Sequence, residues 1–241
     1  MAGQIKVVME YNQDGFLLYA ENFCGAFTRG KSKEEAMSKF EMEIKQYLKW
    51  RTDSKASLEE KYEPFLVQEK VSDLNICDAD SDIIFETEKV PLTREEYENL
   101  KQLVIKSAKD FNELYNSIPN KNYSVLSARK TFYGSVPRTA TEMYVHTNNV
   151  TSYYVGEIGA LIENKEDILQ NRIHALKEVE RLPGYLDNKV IEGSYNEMWS
   201  LRKVLRRFLW HDRIHAKAMY RMAIKAFDKD RIKNPFYFEE K

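Results

Sequence analysis

The stretch from Trp199 to Met222 constrains the fold most, because its pattern is that of one long amphipathic helix. Leu201, Val204, Phe208, His211, His215, Ala218 and Met222 recur at steps of three and four and so share one face. That face is apolar except at two positions, and both are histidines. Four residues apart, the two imidazoles project one turn above the other and can hold one metal ion between them. Two ligands are too few for a tight site. His146 is the expected third, on a second helical stripe made by Thr139, Met143, His146, Val150, Tyr153 and Glu157. The chain has only four histidines, and three of them fall on predicted core stripes. The fourth, His174, has no partner in spacing and is read as structural or exposed.

Two textures divide the chain. Residues 4–11 and 16–23 have strand composition and flank Asp14-Gly15, a hairpin signal. Gly25 to Gly30 reads as a short extended segment. Ser32-Lys-Glu-Glu35 is a capping box opening a helix with Ala36, Phe40, Ile44, Tyr47 and Leu48 inward, ending near Trp50. Residues 51–63 read as a polar surface connection, and residues 65–71 and 82–90 as further strands of the same sheet. Asp78-Ala-Asp-Ser-Asp82 lacks the central Gly and closing Glu of a calcium loop and reads as an acidic turn. From Pro91 onward the pattern is helical. Thr93-Arg-Glu-Glu96 is a second capping box, and the helix it opens stops at Pro119. Helices are then predicted over about 139–162, 166–182, and from near 195 past 226, with a long connection at 120–137. The aromatic tail Asn234-Pro-Phe-Tyr-Phe238 is expected to pack down. The fold class expected is α+β: a small sheet-plus-helix module over residues 1–90, then an all-α four-helix bundle over 91–241.

Composition narrows the function classes. A formal net charge of −1 gives no overall pull toward nucleic acid or an anionic membrane. No run approaches the roughly 20 apolar residues of a spanning helix, and the N-terminus opens no signal peptide, so the expected location is cytoplasmic. Cys24 and Cys77 stand in no ligand-like spacing and are read as buried small residues in a reducing compartment. Arg202, Lys203, Arg206 and Arg207 form a basic edge on the last helix, read as a solvated face rather than an anion contact. No nucleophile elbow or phosphate loop is present. The three histidines therefore carry the expected chemistry. Three ligands leave a position open for water or substrate, as in catalytic rather than structural metal sites. Glu142, Glu157 and Asp212 lie close enough in sequence to support such a site, though each is ordinarily a solvated or capping charge.

With the helices placed, residues 91–241 resemble the DinB/YfiT-like superfamily of four-helix-bundle metalloenzymes. The resemblance rests on Arg138-Thr-Ala-Thr-Glu-Met-Tyr-Val-His146 and on Leu209-Trp-His211-Asp-Arg-Ile-His215. It implies a divalent metal, zinc or nickel, on His146, His211 and His215, and often a homodimer. It also implies a small-molecule substrate handled with a low-molecular-weight thiol. Residues 4–50 are similar to a HicB-like antitoxin fold, on Asp14-Gly15-Phe16 and on Gly25-Ala-Phe-Thr-Arg-Gly-Lys-Ser-Lys-Glu-Glu-Ala36. A bundle follows in place of a DNA-binding segment, so this part is expected to be an accessory or dimerising module. The functional expectation is metal-dependent thiol transfer or hydrolysis. The alternative is a non-catalytic regulatory or antitoxin-like binding protein whose histidines sense metal or only pack. Water-accessible space and a nearby carboxylate at the trio favour the first; a closed, dry trio or an exposed basic groove favours the second. Neither membrane nor nucleic acid is an expected partner.

Overall fold

The hairpin signalled by Asp14-Gly15 forms. In the computed structural model, which describes residues 3–53, 61–131 and 134–239, strands β1 (Gly3–Asn12) and β2 (Gly15–Ala20) pair antiparallel. The Asn12 side chain accepts from the Asp14 N–H at 2.9 Å and tightens the turn. β3 (Phe27–Gly30) pairs antiparallel with β2, and β4 (Tyr62–Val71) lies parallel to β1, giving the order β3-β2-β1-β4. A parallel neighbour needs a crossover, and helices α1 (Lys33–Ser38) and α2 (Phe40–Thr52) supply it. Ser32 caps α1 through the Glu35 N–H, while the Glu35 carboxylate turns back to the Lys31 N–H at 2.8 Å. The single helix expected here is divided at Lys39. Of the polar connection expected at 51–63, residues 54–60 lie outside the described residues; its ends belong to α2 and β4.

Both faces of the sheet are covered. Ile5, Val7, Met9, Leu18 and Ala20 point to the core shared with the helices. The alternate positions Val8, Leu17 and Tyr19 meet Ile76, Ile83, Phe85 and Trp210 on the other side. The segment 82–90, expected as a strand, is not one: it runs without a ladder and ends in a 3-10 turn, Glu86–Lys89. Side chains take the place of a neighbouring strand. Lys203 and Arg206 donate to the carbonyls of Asp82 and Ile83, and the Gln68 amide bridges the Ile84 carbonyl and the Glu86 N–H. With its backbone already satisfied, the segment gains nothing from sheet pairing.

The bundle comprises α3 (Arg94–Ser117), α4 (Ala140–Gly156), α5 (Ile168–Glu180) and α6 (Leu201–Ala226). α3 and α4 each lie against both α5 and α6. Steps from α3 to α4 and from α5 to α6 therefore cross the bundle, which accounts for their long connections. The capping box at Thr93 forms as expected, and Thr139 with Glu142 makes another. Two boundaries differ from expectation. α4 ends at Gly156 rather than near 162, where Gly159 at φ +91° lets the Ala160 N–H close back on the Val155 carbonyl. α6 begins at Leu201 rather than near 195, because Tyr195 and Asn196 hold positive φ and Ser200 supplies the cap. Between the helices lie two small ribbons: β5 (Lys130–Thr131) with β6 (Gly134–Ser135), and β7 (Ile191–Glu192) with β8 (Met198–Trp199).

Packing is continuous across residue 90. Trp50 of α2 donates to Asp110 of α3 at 2.7 Å and stacks on Phe236 of the tail, which packs down as expected. Gly25, at φ +94°, brings the loop before β3 against α6, where a Cβ would stand 2.6 Å from that of Leu209. The basic edge of α6 is not solvated, contrary to the expectation for Lys203, Arg206 and Arg207. Arg206 binds Glu88, Lys203 and Arg207 share Glu197, and only Arg202 reaches the surface, against Glu96. Further along α6, Arg213 and Lys217 hold Glu43 of α2 at 2.6 and 3.1 Å. Burial works against ionisation of Glu43, but these two cations outweigh it and keep the carboxyl below its ordinary range. Glu43→Gln leaves Arg213 buried without a counter-charge, so urea denaturation is expected to show a loss of about 3 kcal/mol. Tryptophan fluorescence and far-UV dichroism are expected to report one coincident transition, as a shared core requires.

Candidate metal centre

His211 and His215 lie on consecutive turns of α6, as their spacing dictates, and α4 brings His146 across from the other side. Their ring centroids stand 5.0, 4.7 and 4.4 Å apart, and one ligand nitrogen from each falls within 4.8 Å of the others. His146 Nε2 and His211 Nε2 are separated by 3.2 Å. Two neutral rings at that distance share a hydrogen, or direct two lone pairs at one cation. The distance suits either arrangement: two nitrogens about 2.05 Å from a tetrahedral zinc stand about 3.3 Å apart. The wider separations, up to 4.8 Å, must close by up to about 1.5 Å to match.

Burial sets the charge state. His215 is pushed down to about 3, first by desolvation and then by the charges of His146 and Arg29. His211 lies well below its ordinary value for the same leading reason, with the other two histidines and Arg172 and Arg207 adding to it. Desolvation lowers His146 as well. All three rings are therefore neutral near pH 7, the form that ligates a metal. His211 Nδ1 is buried with no hydrogen-bond partner among the described residues, so the acceptor that commonly backs a metal-bound imidazole is missing there.

His146 departs from expectation in one respect. The core face of α4 is made by Ala140, Met143, Tyr144, Thr147, Thr151 and Val155, and His146 lies outside it, exposed. Its ring opens into a cavity of about 910 Å³ between the sheet module and the bundle. The same cavity reaches His211, His215, Trp210, Tyr153 and Tyr154 on the bundle side, and Phe27, Arg29 and Met42 on the module side. Burial raises the Tyr153 phenol, which stays protonated and able to donate at neutral pH.

The three carboxylates considered from sequence do not join the cluster. Glu142 accepts from the N–H groups of Arg138 and Thr139 at the start of α4. Glu157 accepts from the Ser194 N–H at 2.7 Å. Asp212 points the other way from its neighbour His211 and pairs with Arg172 at 3.0 Å, both fully buried. Asp78 and Asp82 of the acidic turn are ion-paired with Arg129 and Lys70. Cys77 is exposed rather than buried, Cys24 half-buried, and the two are not bonded to each other. His174 stands 3.8 Å from Glu178, away from the trio. What sequence reading missed is the part supplied by the module: Arg29, Phe27 and Met42. Trp210 was the available signal, since an indole in the middle of a basic helix face needs a cover.

In comparisons with known proteins, no family model, no curated protein and no solved structure matches this chain.

The histidine shifts fix a pH dependence. A base whose folded pKa lies below its unfolded value of about 6.5 leaves the folded state binding fewer protons, so stability is complete above that pH and falls as acid is added. In chelator, urea midpoints are expected to decline between about pH 6.5 and 3, and His215→Phe is expected to flatten that decline. An unchanged slope in the variant would remove His215 from the account.

Proposed function

We propose that this protein is a metal-dependent enzyme of the DinB-like type, binding one divalent ion, zinc or nickel, through His146, His211 and His215. The observation that carries the reading is three neutral imidazoles converging on one wall of a cavity large enough for a small organic molecule. A closed trio packed in the core would have favoured a binding protein whose histidines only pack. The open cavity favours chemistry on a bound substrate instead.

A divalent ion held there would supply Lewis acidity, lowering the pKa of a thiol or water brought to it. The chain's own groups do the rest. α6 is clamped by ion pairs at Arg207 before the histidines, at Arg213 between them and at Lys217 after them, which fixes the two rings in register. Trp210, Tyr153 and Tyr154 line the cavity with aromatic surface that thins the water around the trio. Tyr153 keeps its proton and can donate it in a hydrogen bond to substrate. The reaction this suits is thiol-dependent transfer to an electrophile, or hydrolysis. The sheet module acts in it as the second wall of the cavity, and the proposed assembly is a cytoplasmic homodimer, as the resemblance implies. No described helix is long and apolar enough to cross a membrane.

Elemental analysis of protein purified without a histidine tag tests the centre. Close to one zinc or nickel per chain is expected in the wild type, and none in His211→Ala/His215→Ala. A folded wild type that takes up neither metal would defeat the reading. With metal retained, transfer of a small thiol to an electrophilic substrate is expected to disappear in the same double variant.

A further inference from the structure

The cations facing the cavity are not equally satisfied. Arg207 and Lys217 are neutralised by Glu197 and Glu43, and Lys39 is held by Glu35. Three further guanidinium groups line the cavity, each on an exposed residue: Arg29 on β3, Arg129 in the connection before β5, and Arg221 on α6. Asp78 pairs with Arg129. Arg29 has only a long contact, 3.4 Å, to the Cys77 carbonyl, and neither Arg29 nor Arg221 has an ion pair among the described residues. The three charges act on one another: burial first, then Arg129, opposed by Asp78, and then Arg221 bear on Arg29, whose own charge reaches His215. Like charges held this close repel, and an anion placed among them relieves that repulsion.

We propose that Arg29, Arg129 and Arg221 form an anion-binding wall that takes the carboxylate or phosphate end of a small substrate whose other end reaches the histidine trio. Its last clause rests on the metal-centre reading; the wall itself does not. Guanidinium forks suit carboxylate and phosphate oxygens, which they bind in paired hydrogen bonds. Ile214 and Ala218 of α6 and Phe27 of β3 line the same cavity and offer apolar surface for a short organic body. The same cavity carries Asp78, Asp80 and Asp82, which would repel the continuous phosphate backbone of a nucleic acid. A molecule with one anionic terminus fits; a polyanion does not. The cavity volume of about 910 Å³ is in the range that encloses small ligands. Arg29 comes from the sheet module, Arg129 from the connection between α3 and α4, and Arg221 from α6, so all three parts of the chain would share in selecting the substrate.

Calorimetric titration of the full chain, freed of metal by chelator so that anions cannot ligate it, provides the test. The probes are 3-phenylpropionate, phenyl phosphate and the neutral 3-phenylpropionamide. At least one anion is expected to bind about tenfold or more tightly than the amide, and the tighter of the two names the group. Arg29→Gln/Arg221→Gln is expected to reduce that preference to about threefold or less, with unchanged far-UV dichroism. Arg221→Gln alone, at an exposed position, is expected to give an intermediate value. Equal binding of amide and both anions, or a preference retained in the double variant, overturns the wall. Metal content is read separately in the same preparations before chelation. Metal present without anion preference sinks this inference and leaves the metal reading intact. Anion preference without metal uptake keeps the wall and removes the metal.

Discussion

The structure depends on taking the basic face of α6 out of water. Lys203, Arg206, Arg207 and Arg213 are all buried in a helix whose opposite face is already committed to the bundle. An unpaired cation in such a place costs several kcal/mol. Three carboxylates from three segments meet these four cations: Glu88 before the bundle binds Arg206, Glu197 ahead of α6 is shared by Lys203 and Arg207, and Glu43 on α2 binds Arg213. Their planar faces are used too, with Arg206 lying 4.0 Å from the Phe85 ring centroid and Arg207 5.0 Å from that of Trp210. Each pair satisfies a charge and at the same time specifies where the partner segment must sit. α6 is thus the surface on which the sheet module is aligned.

That alignment produces the cavity. The module grips α6 around Trp210 and again through Glu43, while α4 lies against another side of the same helix. His211, buried, and His215, half-buried, fall at the seam between the two contacts and border the cavity there, and His146, exposed, faces them from α4. Buried enough to stay neutral yet open on one side, the rings have what a metal with an exchangeable position requires. Rigidity on both sides of the seam and space within it have one origin, the clamped helix.

Much of the architecture was legible in the sequence, and for local reasons. Asp14-Gly15 dictated a hairpin, Thr93 and Ser32 placed helix starts, and the three-and-four spacing of apolar residues named the helices and paired His211 with His215. The errors were equally specific. Residues 82–90 look like a strand because Ile83, Ile84, Phe85 and Val90 have strand composition, but their backbone is engaged by Lys203, Arg206 and Gln68, which lie 16 to 123 positions away along the chain. Arg206 and Arg207 look solvated because a basic stripe usually is. Nothing adjacent in sequence announces Glu88 or Glu197 as their partners.

The sequence by itself determined the ligand chemistry and the local geometry of the site. A helical pair at i, i+4 is set by 3.6 residues per turn, and a histidine offers the same nitrogen wherever it is carried. Tertiary structure alone decided that His146 meets that pair from an exposed position, that a cavity opens beside them, and that Arg29 of the sheet module reaches it. Those outcomes depend on how charges far apart in the chain are desolvated together, and that interaction has no period along the sequence from which to read it.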